Sequence, residues 1–303
     1  MSRLKRIDAV YEKAPRFILN ENSKLVFMSD CHRGTGNQGD DFAKNRTIYE
    51  AALLHYWREG YTYFELGDGD ELWENRRMED ITATHSDIFR LLRRFYLAGR
   101  LVMLWGNHDI EKRKRSEILS AYEPFLGKKP RPLLEHLPVH EGVVLQWEGT
   151  PHEILLLHGH QADFFNDNLW PLARFLVRTL WRPLELMGLK NPTSAARNRK
   201  LKDKVEQTLR QWARERGVAV IAGHTHRAEM PRPGEAPYFN DGCCVHLMGV
   251  TALEIAGGRV ALVQWLCRAR QDGAVYIARE YLSEPVPIGR FFRTAAPRRA
   301  ASA

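Results

Sequence analysis

Seven side chains able to hold a cation, Asp30, His32, Asp68, Asn107, His158, His224 and His226, each stand just after a short apolar run. The run 25–28 leads into Ser29-Asp30-Cys31-His32, 61–66 into Gly67-Asp68-Gly69-Asp70-Glu71, and 101–105 into Gly106-Asn107-His108-Asp109. The run 153–157 leads into His158-Gly159-His160, and 217–221 into Ala222-Gly223-His224-Thr225-His226. One Asp or His after a strand is ordinarily a turn former. Five such stops hold six of the twelve histidines, a clustering that scattered core or surface histidines do not explain. Carboxylate, amide oxygen and imidazole without thiolate suit two borderline ions, Mn²⁺ first, with Fe²⁺ or Zn²⁺ as alternatives. Ca²⁺ takes oxygens only, and structural Zn²⁺ favours cysteine. Two ions need a shared ligand, and Asp68, central in the strand order, is the candidate bridge.

The elements that must position these groups follow from periodicity. The apolar runs read as buried strands. Between the first three, residues 40–59 carry Phe42, Ile48, Ala52, Leu53 and Tyr56 at helical spacing, and 85–98 carry Ile88, Leu91, Leu92 and Phe95. Strand, helix, strand, helix, strand predicts a parallel sheet with its ligand crevice at the strands' carboxyl ends. Side chains alternate along an extended segment, so Asp30 and His32 converge while Cys31 turns away. Residues 1–23 read as a surface lead-in. Residues 169–187 read as a helix with Arg174, Arg178 and Arg182 on one side, and 200–216 as a second with Leu201, Val205, Leu209 and Trp212 on its apolar side. Inserted between two ligand-bearing strands, 161–216 reads as a basic helical cap on a catalytic domain made of 1–160 and 217–284. Short strands follow His226, and 285–303, with Arg290, Arg293, Arg298 and Arg299, reads as a disordered basic tail.

Composition narrows the class. A hydrophobic share of 44% over 303 residues is enough for a packed core, and no run of 18 apolar residues offers a membrane span. The basic amino terminus lacks a following apolar segment, so no signal peptide is read and a cytoplasmic location is expected. Four cysteines, two of them adjacent, give no disulfide framework. Most of the net charge of +8 sits in 161–216, where twelve Lys and Arg face six Asp and Glu, so an anionic partner would meet that stretch. No nucleic-acid-binding motif accompanies the charge. An Arg-faced amphipathic helix can also rest on the anionic inner surface of a membrane.

The ordered motifs Asp-x-His, Gly-Asp-x-x-Glu, Gly-Asn-His-Asp, His-Gly-His and Gly-His-Thr-His, over roughly residues 24 to 255, resemble those of the calcineurin-like metallophosphoesterase superfamily. The resemblance implies an α/β, four-layer α/β/β/α sandwich whose second sheet is supplied by the strands after His226. It implies that Asp30, His32, Asp68 and His226 hold one metal ion, and Asp68, Asn107, His158 and His224 the other. It also makes His108 an acid oriented by Glu71. The basic insertion resembles the cap of UDP-2,3-diacylglucosamine pyrophosphohydrolases, but the match is partial. That group has Arg where this chain has His108 and Asp where it has His160, and His108 is what general phosphodiesterases and phosphatases use.

Two ions at such a site bind a phosphoryl group, lower the pKa of a water between them and support in-line displacement. Arg33 and Arg227, next to ligands in sequence, are expected to reach phosphate oxygens, with Arg174 and Arg178 contacting substrate from the cap. The expected substrate is a phosphorylated small molecule or a lipid-linked pyrophosphate. A scaffold that has lost its metals is the reading from another class, and the presence of all seven ligands opposes it.

Overall fold

The computed structural model describes residues 2–114, 134, 137–163, 166–167, 169–177, 179 and 199–292. Its centre is two β-sheets packed face to face. The larger is built on β2 (Lys24–Met28), β3 (Thr62–Leu66), β4 (Leu101–Leu104) and β5 (Val139–His140), parallel neighbours in that order. The smaller runs β1 (Arg16–Leu19), β6 (Gly142–Trp147), β7 (Glu153–Leu157), β8 (Ala219–Ala222), β9 (Tyr238–Asn240). The chain leaves the larger sheet at His140 and enters the smaller at Gly142, so Glu141 alone makes the crossing.

The central strands of each sheet are buried on both faces, which is why they read as continuous apolar runs rather than alternating ones. Phe27, Phe64, Leu66, Leu104, Leu145, Ile154, Leu156, Ile221 and Leu253 fill the space between the sheets. On the outer face of the larger sheet lie α2 (Arg46–Arg58) and α4 (Ser86–Leu97), whose Ile48, Tyr49, Leu53, Tyr56, Ile88, Leu92 and Phe95 form one apolar stripe each. A short 3₁₀ turn (Asp41–Lys44) and a helix, α3 (Met78–Thr84), precede them. On the outer face of the smaller sheet lie α1 (Arg3–Lys13) and the long helix over Arg199–Arg216, packed through Ile7, Val205, Leu209 and Trp212. The result is an α/β/β/α sandwich.

Several sequence expectations are corrected here. Residues 1–23 are not a surface lead-in: Ile7 and Val10 are buried, and Asp8 accepts a hydrogen bond from the Trp212 indole at 2.8 Å. Of the strands after His226, only β9 joins the second sheet. β10 (Val250–Ala256) pairs antiparallel with β2, and β11 (Arg259–Ala269) and β12 (Val275–Pro287) extend the larger sheet to seven strands. Pairing partners so distant in sequence leave no trace in local periodicity. The segment 161–216 is not one cap, because Arg199–Arg216 is an outer layer of the sandwich. Within the first expected cap helix the structure describes α5 (Trp170–Leu176), and the helix over Arg199–Arg216 becomes α6. The expected tail is ordered to Phe292: α7 (Gly289–Phe292) drives Phe291 and Phe292 into the inter-sheet core. Residues 293–303, and 164–165, 168, 178 and 180–198 of the expected cap, lie outside the described residues. No described helix is long and apolar enough to cross a membrane.

Candidate metal centre

Six of the seven sequence-predicted ligands fall into two clusters at one end of the sandwich, and Asn107 stands next to His108, whose N–H donates to Asp68 Oδ1 at 2.8 Å. Asp30 and His32 follow β2, Asp68 follows β3 and Asn107 follows β4, while His158 follows β7 and His224 and His226 follow β8. The larger sheet thus supplies four ligands and the smaller three. Backbone bonds continue the ladder past the strands: Asp30 N–H donates to Gly67 O at 3.1 Å and His32 N–H to Asp68 O at 2.9 Å, and Gly223 N–H donates to His158 O at 2.9 Å. Five residues other than glycine have positive φ among those described, Asp30, His32, Asp68, His224 and His226, with values from 48° to 67°. All five are candidate ligands. A left-handed backbone costs energy for these residue types, and strain of this kind gathers where side-chain aim is fixed by function. Close approach also needs glycine: a Cβ on Gly106 would lie 2.1 Å from Asp68 Oδ1.

Two ligand groups form around Asp68. Asp30, His32 and His226 each place a ligand atom within 4.8 Å of the others, and so do Asp68, His158 and His224. Asp68 Oδ2 lies 3.2 Å from His158 Nε2 and 3.8 Å from His32 Nε2, so one carboxylate faces both groups. Asp30 Oδ1 lies 3.0 Å from His226 Nε2. The other oxygen of Asp30 is satisfied by His224 N–H at 2.8 Å and the Ser29 hydroxyl. Asp30 Oδ1, Asn107 Oδ1 and His158 Nε2 are sealed from solvent and make no hydrogen bond among the described residues. Buried polar atoms are rarely left so, and a set of carboxylate, amide and imidazole donors of this kind fits divalent cations.

The electrostatics agree. Burial would raise the Asp30 and Asp68 carboxyls, yet the surrounding imidazoles, His226 and His158 foremost, hold both well below the usual range. Burial would lower His158, but Asp68 and Asp30 raise it to about 9. With no metal in place, protons on His158 and His32 balance the carboxylates. His226 is pushed down by burial and His160 further down, by burial and then by its neighbour His158.

Glu71, almost wholly buried, bridges His32 and His108 with both Nδ1 atoms at 2.8 Å. Burial would raise its carboxyl, and the two histidines, His108 first, lower it to about 2. The His108 ring stacks on Trp73 at 4.2 Å between centroids and meets His32 edge-on at 4.7 Å. Cys31 is buried in the core on the helix side, away from the ligands.

Arg33 is a correction. Its guanidinium is fully buried, bonded to Glu65 at 2.8 and 2.9 Å and to Asp70 at 2.8 Å, and does not face the crevice. Asp70 is buried in the same cluster. Arg227 is engaged with Asp203 at 2.9 Å and Glu206 at 3.1 Å, both on α6, and Arg174 pairs with Glu111. Arg178 lies outside the described residues.

Sequence reasoning missed the supports. Asp109 is buried and collects the N–H groups of Gly106 at 2.7 Å, Asp68 at 3.2 Å and Gly69 at 3.0 Å, fixing the loops that carry Asp68 and Asn107. Buried Lys112 sits 2.8 Å from Asp109, 2.7 Å from Asp70 and 3.7 Å from Glu65. Asn240 donates to Gly223 O at 2.8 Å, and Glu206 accepts from Thr225 at 3.0 Å, together holding the loop of His224 and His226. Asp109 carried a signal, its place beside Asn107 and His108; a lone Lys112 or Asn240 carried none.

Residues 23–228 match the model of the calcineurin-like phosphoesterase family. The chain belongs to that family and is a metal-dependent phosphoric ester hydrolase. Among solved structures it is similar to the cold-active protein-tyrosine phosphatase of a psychrophile, Shewanella sp., at 14% identity over 88% of this chain and 82% of that one, TM-score 0.41. It is also similar to Vps29 of Chaetomium thermophilum, at 12% identity over 88% of this chain and 99% of that one, TM-score 0.38. No curated protein matches the chain in sequence.

Proposed function

We propose that the protein is a dinuclear phosphodiesterase or phosphatase of broad substrate range, active with two divalent transition-metal ions, Mn²⁺ foremost. The observation that carries this is that Asp30 Oδ1, Asn107 Oδ1 and His158 Nε2 are buried without hydrogen bonds, with His158 Nε2 3.2 Å from a carboxylate that also faces His32. Asp30, His32, Asp68 and His226 would hold one ion, and Asp68, Asn107, His158 and His224 the other. When bound, the ions supply Lewis acidity and a nucleophile competent near neutral pH.

The chain's own residues do the rest. Glu71 occupies His108 Nδ1, so Nε2 is the edge left for substrate. As an imidazolium, His108 would donate a proton or hydrogen bond from that edge to a phosphoryl or leaving-group oxygen. Such assistance is worth about 10²- to 10⁴-fold in rate. Trp73 on one face and His32 at the edge restrict rotation of the ring.

A second reading, hydrolysis of a lipid-linked pyrophosphate such as a UDP-diacylglucosamine at an anionic membrane surface, is favoured by α5, where Leu172, Phe175 and Leu176 are exposed beside Arg174. Free thiols at Cys31, Cys243, Cys244 and Cys267 fit a cytoplasmic location. Mn²⁺-loaded protein is expected to hydrolyse aryl phosphomonoesters or phosphodiesters. No turnover on aryl esters, cyclic nucleotides or the lipid-linked pyrophosphate would revive the scaffold reading. The second reading is tested by Leu172→Asp with Phe175→Asp. Loss on the lipid substrate with aryl phosphate spared supports it, and equal activity on both removes it.

A further inference from the structure

We propose that Asp163 is the positioning residue for His224: its carboxylate accepts a hydrogen bond from the Nε2–H of that imidazole and leaves Nδ1 as the atom offered to the ion. The proposal rests on the two-ion reading above. A ligand histidine needs its second ring nitrogen held, because that bond sets the tautomer and the orientation of the ring. His32 has this through Glu71 at 2.8 Å, and His158 through Leu66 O at 2.9 Å. His224 Nε2 is sealed from solvent and makes no hydrogen bond among the described residues, and Asp163 Oδ2 faces it at 3.6 Å. Closing that gap takes a ring shift of about 0.5 Å to reach hydrogen-bond distance.

Asp163 is built into place. Five residues beyond His158, it ends the 3₁₀ turn His160–Ala162, with its N–H donating to His160 O at 2.8 Å. The Asn166 amide donates to Oδ2 at 2.8 Å, and a carboxylate oxygen can accept a second bond. Only 1% of the residue is exposed, so this carboxylate serves a protein group rather than solvent. One turn after a ligand of β7 thereby orients a ligand of β8, joining the two strands of the smaller sheet at the second ion.

The direct test is ¹⁵N NMR of the histidine rings in Zn²⁺-loaded full-length protein. The expected result is His224 protonated at Nε2 and metal-bound at Nδ1; the opposite tautomer overturns the proposal. Mn²⁺ content after equilibrium dialysis over a range of free Mn²⁺ supplies the energetic test. Asp163→Ala should bind the first ion as wild type and the second about 10- to 100-fold more weakly. Asp163→Asn keeps an acceptor oxygen and should stay close to wild type. An unchanged second ion in Asp163→Ala, or Asp163→Asn as weak as Asp163→Ala, overturns it, the latter because Asp163 would then be a ligand itself. Wild-type protein that binds fewer than two ions overturns the two-ion reading too, whereas a failure confined to the Asp163 variants leaves that reading standing.

Discussion

Two clusters of buried charge meet beneath and within the crevice, and they differ in how they are closed. In the lower one Arg33 and Lys112 stand among Glu65, Asp70 and Asp109, with ion-pair distances as short as 2.7 Å. Its cations are side chains. In the upper one Asp30 and Asp68 stand among His32, His158, His224 and His226, with Asn107 beside them, and several of the atoms facing inward make no hydrogen bond. Burying a carboxylate without a partner is costly. The lower cluster answers that cost within the chain, while the upper one is left to be completed by ions. Asp109 is the hinge between them, taking Lys112 on one side and the N–H groups of the Asp68 loop on the other.

Substitutions sharpen this contrast. Asp68→Ala should show the largest effect, loss of both ions and of measurable turnover, because one bridging carboxylate serves both groups. His108→Ala should retain both ions and lose about 10²- to 10⁴-fold in kcat. Elemental analysis beside steady-state kinetics separates the two, and a His108→Ala protein as poor in metal as Asp68→Ala would remove the role given to His108. Lys112→Met breaks the lower cluster instead. Removing one partner of a buried pair costs about 3–5 kcal/mol, so the melting temperature of the metal-free protein should fall steeply. An unshifted melting curve would mean Lys112 does not neutralise Asp70 and Asp109.

The smallest expected effect is one of pH. Without metal, His158 titrates at about 9, above the roughly 6.5 of an unfolded imidazole. A raised pKa contributes stability that is fully present below about pH 6.5 and is lost as pH rises through about 9. Chelator-treated protein should therefore melt at lower temperature at pH 9 than at pH 7. Metal-loaded protein should not follow, since the ion replaces the proton on the ring. A chelated protein whose melting temperature rises over that interval would contradict the assignment.

The candidate ligands were picked out because each ends an apolar run, a purely local signal. The two helices over the larger sheet were legible for the same reason, one apolar stripe each. What periodicity cannot say is what a stripe packs against. The apolar side of Arg199–Arg216 was plain in Val205, Leu209 and Trp212, but that it covers the smaller sheet depends on α1 and β8, far off in sequence. Arg33 was misread through its adjacency to His32. The alternation that turns Cys31 away from the ligands turns Arg33 the same way two residues on, toward Glu65 and Asp70. Lys112 and Asn240 act on groups brought near only by folding, and nothing in their sequence neighbourhood marks them.

The account stands on the upper cluster being a two-ion site, and the measurement that reaches it most directly is the metal content of the purified full-length protein after reconstitution with Mn²⁺ and removal of free ion. Two equivalents per chain in wild type, with neither ion retained by Asp68→Ala, is the predicted result; wild-type protein that holds no metal would contradict it.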